Sequence, residues 1–395
     1  MMIRAIEGIR VLDLTQVMAG PFCSMLLCDM GADVIKVEPP TGDSTRRMPG
    51  AVGTDSPSFN AVNRGKRGIV VDLKQDVGRD VVRRIAVSAD VVVENYRPGV
   101  MERFGLGYER LAGQNPGLVY ASISGYGRTG PSSAKGGFDL VAQGVSGLMS
   151  VTGEEGGPPV KVGVPITDLG AGLFAVTGIL AALLVRMRTG RGQLVDTSLV
   201  DAGVALSVWE ATQYFSGRGV PEPLGSAHRM NAPYQAIRCA DGYVTVGAAN
   251  DRIFRRLCET LGHSEWGDDP DYRDDDHRVR NRAVLAARIQ EVMVRRTRAH
   301  WLEKFDECDI PCGPINNYAE VMSDPHILAR ELVVETDHPT LGSIRTLGTP
   351  LKLSESPLEP GKPAPLLGQH TDEVLREIGF STEEVVELRR VGAIR

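Results

Sequence analysis

Between Val162 and Val185 the only charged residue is Asp168, at the threshold of a long apolar run. Two chemistries suit a carboxylate in that position. It can cap the helix that starts there, its oxygen accepting a free backbone amide. Alternatively it can be a nucleophile, because the amides and positive end of a helix favour the ionised form. A partly desolvated carboxylate attacks an activated acyl group. Gly163 and Pro165 precede Asp168 and Gly170 and Gly172 follow it, which leaves room for a bulky ligand. On residue type alone both readings stand.

Other chemistries find less support. Glu38 ends a strand like a ribose-binding acid, yet the turn Thr15–Gly20 lacks the glycines of a dinucleotide fingerprint. Gly144–Leu148 is no nucleophile elbow. His228, in the polar stretch Gly225–Arg229, reads as a surface or packing histidine. Cys308 and Cys312 are four apart with no answering pair, so the six cysteines read as reduced thiols and no metal is expected. With 44 basic and 50 acidic residues the net charge is −6, which argues against a nucleic-acid partner. The basic cluster Arg295–Arg298 is a solvated helix face.

These side chains need elements to hold them. Runs rich in Val and Ile alternate with helical segments: strands at 9–14, 32–38, 68–73, 89–95, 118–124 and 193–198, and helices at 21–30 and up to Ala86. That alternation predicts a parallel sheet covered on both faces. The charge-free run Leu169–Val185 falls short of a bilayer span and predicts a helix buried on all sides of a soluble core. The opening Met1–Gly8 alternates apolar and charged residues, unlike a secretory signal, so a cytoplasmic protein is expected. A length of 395 residues predicts two domains. Ser216–Pro223 reads as a linker between them, giving 1–215, a linker with a small domain at 216–325, and a C-terminal return at 326–395. In the small domain Gly242–Gly247 is a strand, helices lie near 251–261 and 280–296, and the last charged helix is at 371–378.

Several ordered motifs carry a resemblance. Leu12–Pro21, Gly31–Glu38, Asn63–Gly68, Val93–Gly99, Ser124–Pro131 and Thr189–Gln193 are similar to the class III CoA-transferase family. The likeness continues through Gly313–Asn317 and Leu366–His370. That family holds the formyl-CoA:oxalate, carnitine, bile-acid and dicarboxylate CoA-transferases and the 2-methylacyl-CoA racemases. The resemblance implies a Rossmann-like large domain, a smaller α+β domain and an interlocked homodimer. It implies that Asp168 is the nucleophile and that no cofactor is bound permanently, acyl-CoA and a carboxylic acid being the substrates. It assigns CoA contacts to Gln16, Val17, Ala19, Val71, Lys74, Asn95, Tyr96, Arg103 and Lys135. Pro39 stands where the oxalate-specific enzymes carry a CoA-contacting arginine.

Racemases of the family carry a histidine directly before the aspartate of Gly136–Asp139, and here that residue is Phe138. Proton exchange at an α-carbon then lacks one acid/base group, whereas acyl transfer through Asp168 needs none. Transfer is favoured, with a 2-methylacyl-CoA racemase as the alternative. Gly225–His228, Pro233–Ala236 and Asp241–Gly247 resemble the branch that moves CoA from succinyl-CoA to glutarate, malate, mesaconate or itaconate. The second carboxylate of such an acid needs cations, for which Arg46, Arg47, His228 and Arg229 are candidates. Gly247, Ala248, Ala249 and Asn250 stand where the oxalate-specific branch of the family has a glycine-rich lid loop.

Overall fold

A computed structural model describes residues 3–53, 55–358, 360 and 362–395. The chain divides into two compact units. The first comprises the chain up to Leu148, Lys161–Ala211 and Pro325–Arg395. The second comprises Met149–Val160 and Thr212–Asp324. Residues 149–160 thus join the second unit although no linker signal surrounds them.

In the first unit six strands form one sheet: β1 (Arg10–Asp13), β2 (Asp33–Glu38), β3 (Arg67–Val70), β4 (Val91–Glu94), β5 (Val119–Ser124) and β6 (Leu194–Ser198). Their order is β3-β2-β1-β4-β5-β6 and every pairing is parallel. β1, β4 and β5 are buried almost throughout, which explains why they read as continuous apolar runs and not as alternations. Helices α1 (Ala19–Asp29) and α2 (Asp76–Ser88) belong to two separate apolar clusters, which share the residues of β1 and β4 in alternation. Helix α3 (Asp139–Val145), helix α4 (Ile166–Thr189) and helix α5 (Leu199–Leu206) complete the face that α1 covers.

α4 departs from expectation in two ways. It has 24 residues, long and apolar enough by length and composition to cross a membrane, so the sequence-based argument from shortness fails. It is also buried along one stripe only. Gly170, Ala171, Ala175, Ile179 and Ala182 pack inward with α1 and β5, while Leu173, Phe174, Leu184, Val185 and Met187 are exposed. The small inward residues let neighbouring backbones come close; a Cβ on Gly172 would lie 2.8 Å from the Ala19 carbonyl oxygen.

The second unit holds β7 (Tyr234–Cys239), β8 (Gly242–Gly247) and β9 (Cys312–Pro314), antiparallel in that order. Helices Asp251–Thr260, Arg282–Met293 and Arg298–Glu307 supply its core through Phe254, Leu257, Leu285, Ile289, Trp301 and Phe305. The return segment adds the hairpin β10 (Val333–His338) and β11 (Gly342–Leu347) to the first unit. Thr371–Glu377 is not the last helix: Ser381 starts another, Thr382–Arg390, through a capping box with Glu384.

Candidate active site

The strand order reverses between β1 and β4, and there the chains leaving the two carboxyl ends part and open a crevice. A cavity of about 290 Å³ occupies that crevice, at the lower end of small-ligand sites. Its wall is built from four loops of the first unit. Gln16–Ala19 follow β1, Asn95–Pro98 follow β4, Ile123–Gly125 end β5, and Lys135–Phe138 precede α3. Asp168 and Leu199 close it from the starts of α4 and α5.

The loop after β1 is held by buried charge. Lys36, without solvent exposure, donates from Nζ to the Thr15 carbonyl oxygen at 2.9 Å and pairs with Asp43 at 3.3 Å. Asp43 in turn accepts the Val17 N–H at 3.3 Å. Asp13 bonds the Thr15 amide at 2.9 Å and pairs with Lys66 at 2.9 Å. Burial alone would raise the Asp13 carboxyl, but Lys66 and then Lys36 hold it far below the ordinary carboxylate range. Asn95 fastens the same loop from β4, accepting the Gln16 N–H at 2.9 Å and donating to the Gln16 carbonyl oxygen at 2.8 Å. This framework keeps Val17 at φ 71°, a left-handed conformation that a β-branched residue adopts only under constraint.

On the opposite wall Gly125 and Gly137 touch backbone to backbone. A Cβ on Gly125 would stand 2.7 Å from the Gly137 Cα, and one on Gly137 would stand 2.6 Å from the Gly125 Cα. Only glycines permit that approach, which brings Lys135–Phe138 against the end of β5.

Asp168 lies in the first turn of α4, not at its cap. The cap position is Pro165, which offers no side-chain acceptor. Capping comes instead from Asp139 on α3, whose Oδ1 accepts the Thr167 N–H at 2.9 Å and the Thr167 hydroxyl at 2.7 Å. The Asp168 carboxylate is half-buried in the cavity wall and has no hydrogen bond or ion pair among the described residues. Burial, and then the negative charge of Asp139, push its carboxyl up to about 6. Two of the helix amides expected to favour its ionised form are engaged elsewhere. The Thr167 amide is taken by Asp139 and the Ile166 amide by the Val164 carbonyl. The carboxylate stays mostly ionised at neutral pH but is more basic than a solvated one.

Of the nine assigned CoA contacts, Gln16, Val17, Ala19, Asn95, Tyr96 and Lys135 line this cavity beside Asp168. The other three do not. Val71 has no exposed surface and packs in the core, and Lys74 and Arg103 are exposed outside the cavity wall.

The carboxylate-binding candidates fare differently. Arg46 is fully buried, donating to Glu38 from Nε and Nη2 at 2.7 Å each, to Asp55 at 3.0 Å and to the Pro365 carbonyl oxygen at 2.9 Å. Its plane lies over Phe59, 3.6 Å from the ring centroid. It is structural, and the same pairing removes Glu38 from any ribose-binding role. Arg47 is exposed and donates to the Thr41 carbonyl oxygen, outside the cavity wall.

His228, Arg229 and Gly247–Asn250 belong to the second unit. His228 stacks tilted on Tyr234 and accepts the Met230 N–H at Nδ1; Arg229 donates to the Glu222 carbonyl oxygen at 2.7 Å. The expected lid is not a loose loop. Gly247 ends β8 and donates to Pro311, Ala248 is fully buried and donates to Pro233, and Asn250 caps the next helix through Ile253.

Two features of the site escaped the sequence. Arg97 lines the cavity over Gly136 and makes no side-chain hydrogen bond or ion pair among the described residues. It lies inside the Val93–Gly99 motif, and a basic residue between Tyr96 and Pro98 was the available signal. The Asp139 cap left no local signal, because it reaches across 28 positions to Thr167.

A model of CoA-transferase family III matches residues 6–371. The chain is 43% identical over 386 residues to succinyl-CoA:glutarate CoA-transferase of Mus musculus, covering 97% of this chain and 88% of that protein. It is 41% identical over 388 residues to succinyl-CoA:mesaconate CoA-transferase of Haloarcula marismortui, covering 96% and 97%. Among solved structures, a CAIB/BAIF family protein from Brucella suis superposes with a TM-score of 0.84 at 37% identity, over 94% of this chain and 98% of that one.

Proposed function

The chain belongs to CoA-transferase family III and is a CoA-transferase, and from that premise we propose that it moves CoA from succinyl-CoA to a dicarboxylate through Asp168. One observation carries the proposal: the Asp168 carboxylate stands in the cavity wall without a partner among the described residues, while Asp139 caps its helix. A carboxylate raised to about 6 is ionised at neutral pH and a better nucleophile than a solvated one. The relatives named for glutarate and mesaconate support a dicarboxylate as acceptor.

In the proposed course an Asp168 oxygen attacks the thioester carbonyl of succinyl-CoA. The C–S bond breaks, leaving a succinyl-aspartyl anhydride and CoA thiolate. The thiolate attacks the aspartyl carbonyl and expels succinate, forming an aspartyl-CoA thioester. The acceptor carboxylate repeats the two steps in reverse, so no proton is gained or lost over the cycle. The loops around Gln16–Ala19 and Asn95–Tyr96 receive the pantetheine arm. Lys135 and the free guanidinium of Arg97 supply positive charge for phosphate or carboxylate. A cavity of this size takes an arm and not a nucleotide, so exposed Lys74 and Arg103 meet the phosphate end outside it in this reading. His228 and Arg229 remain candidates for the distal carboxylate. The six unpaired cysteines fit a reducing, cytoplasmic setting.

A Rossmann-like reading of the large unit rests on the strand order. The exposed apolar side chains of α4, together with Leu140, Val141 and Val145 of α3 and Val204 and Leu206 of α5, support a second copy of the chain as their cover. The interlocked form belongs to the same reading.

Incubation with succinyl-CoA, quenching and intact-mass measurement tests the chemistry. Wild-type protein is expected to gain the mass of CoA less water at Asp168, and Asp168→Ala to gain none and lose turnover. Full turnover by Asp168→Ala would sink the proposal.

A further inference from the structure

The start of α4 is held by a clamp from α3, and every polar atom of that clamp is accounted for. Asp139 presents Oδ1 to the Thr167 amide and hydroxyl, and its Oδ2 accepts Gln143 Nε2 at 2.7 Å. Gln143 is fully buried, and its Oε1 accepts the Val162 N–H at 2.8 Å. Both ends of the 162–167 stretch leading into α4 are thereby tied to one face of α3, one turn long. Thr167, also fully buried, immediately precedes Asp168. A helix normally finds its N-terminal acceptor at its own cap residue, but Pro165 has none to give.

We propose that Asp139 is the positioning residue of the nucleophile: through Gln143 and Thr167 it fixes the first turn of α4, leaving the Asp168 carboxylate unpartnered in the cavity. This rests on Asp168 being the nucleophile. Asp139 does not line the cavity, and it acts through the backbone of Thr167 and through its charge. The other ionisable side chains around Asp168 are Lys135 ahead of α3 and Tyr96 and Arg97 after β4; α1, β5 and α5 contribute only Ala19, Ile123, Ser124 and Leu199 to the wall. Among the described residues Asp139 is thus the one negative neighbour, and its charge adds to burial in making Asp168 more basic.

Two variants separate geometry from charge. Asp139→Ala removes the cap while leaving the wall residues in place. The double variant Asp139→Asn with Gln143→Glu rebuilds the hydrogen bonds: the asparagine oxygen faces Thr167, its amide donates to the new carboxylate, and that carboxylate accepts the Val162 N–H. The negative charge moves from position 139 to position 143, one turn along α3. The expected result for Asp139→Ala is a kcat lower by about ten- to a hundredfold, with KM for succinyl-CoA little changed. The double variant regains most of that loss, and the acid limb of its pH–rate profile lies at lower pH than that of the wild type.

Wild-type kcat in Asp139→Ala would overturn the proposal, as would a double variant that folds, binds CoA and stays as slow as Asp139→Ala. So would an unmoved acid limb. Should Asp139→Ala fail to fold, the double variant decides alone through that limb. If instead Asp168→Ala keeps full activity, it is the nucleophile assignment that falls, before Asp139 is in question.

Discussion

The carboxyl of Asp168 binds its proton more tightly in the folded chain, at about 6, than at its ordinary value of 3.8. Because the native state then holds this proton more tightly than the unfolded one, the contribution of this one group to stability is fully present below pH 4 and is lost as pH rises through 6. Activity runs the other way, since only the ionised form attacks, so turnover should rise through pH 6. Asp168→Asn should therefore be inactive yet more stable at pH 7. The gain is about 1–2 kcal/mol once solvent screening at a half-buried carboxylate is allowed for. Thermal melts at pH 7 and pH 4 check this. A higher melting temperature at pH 7 that vanishes at pH 4 is expected; an equal gain at both would show that burial of the charge is not its cause. Residue type and spacing single out Asp168 but leave it between cap and nucleophile, and the facing loop Gln16–Ala19 enters only through the family resemblance. They do not tell a free arginine from an engaged one, so the candidates for the distal carboxylate include the buried Arg46 and omit Arg97.

At the scale of elements, close contacts between α4 and its neighbours set where Asp168 stands. Gly172 makes the tightest of them to backbone, with the Ala19 carbonyl oxygen 2.8 Å from where a Cβ would be. Gly172→Ala must push α4 away from α1 and from the loop that carries Gln16 and Val17. Urea titration should report a loss of about 1–3 kcal/mol, the usual penalty of overpacking. The folded fraction should also turn over more slowly, and an unchanged kcat would argue that the helix start tolerates displacement. The six parallel strands were readable because each is a short Val- and Ile-rich run between helices. β7 was not read as a strand, since Tyr234–Cys239 alternates weakly and owes its place to pairing with β8. β9 has three residues, Cys312–Pro314, and no local pattern can announce so short a strand. The final helix was missed although its capping box, Ser381 with Glu384, stood in the sequence.

For the whole molecule, the exposed apolar stripe of α4 is the feature that a single chain leaves unresolved. Leu184, Val185 and Met187 are exposed among its last turns, and Leu173 and Phe174 near its start. A second copy that covers them makes the protein twice the 42.6 kDa chain mass in light scattering coupled to size exclusion. Val185→Asp with Met187→Asp should then shift the population toward the single-chain mass; a wild type already at that mass would refute the assembly.

Consecutive residues by themselves determined the parallel sheet and the motifs that carry the family likeness, and through that likeness the loop after β1 and the candidate nucleophile. They could not decide what surrounds a charge. Tertiary structure removed Arg46 and Glu38 into a buried pair, buried Ala248 within the 247–250 segment, and brought Asp139 across 28 positions to cap another residue's helix. Burial and pairing depend on what folding brings alongside, and a carboxylate's acidity depends on both.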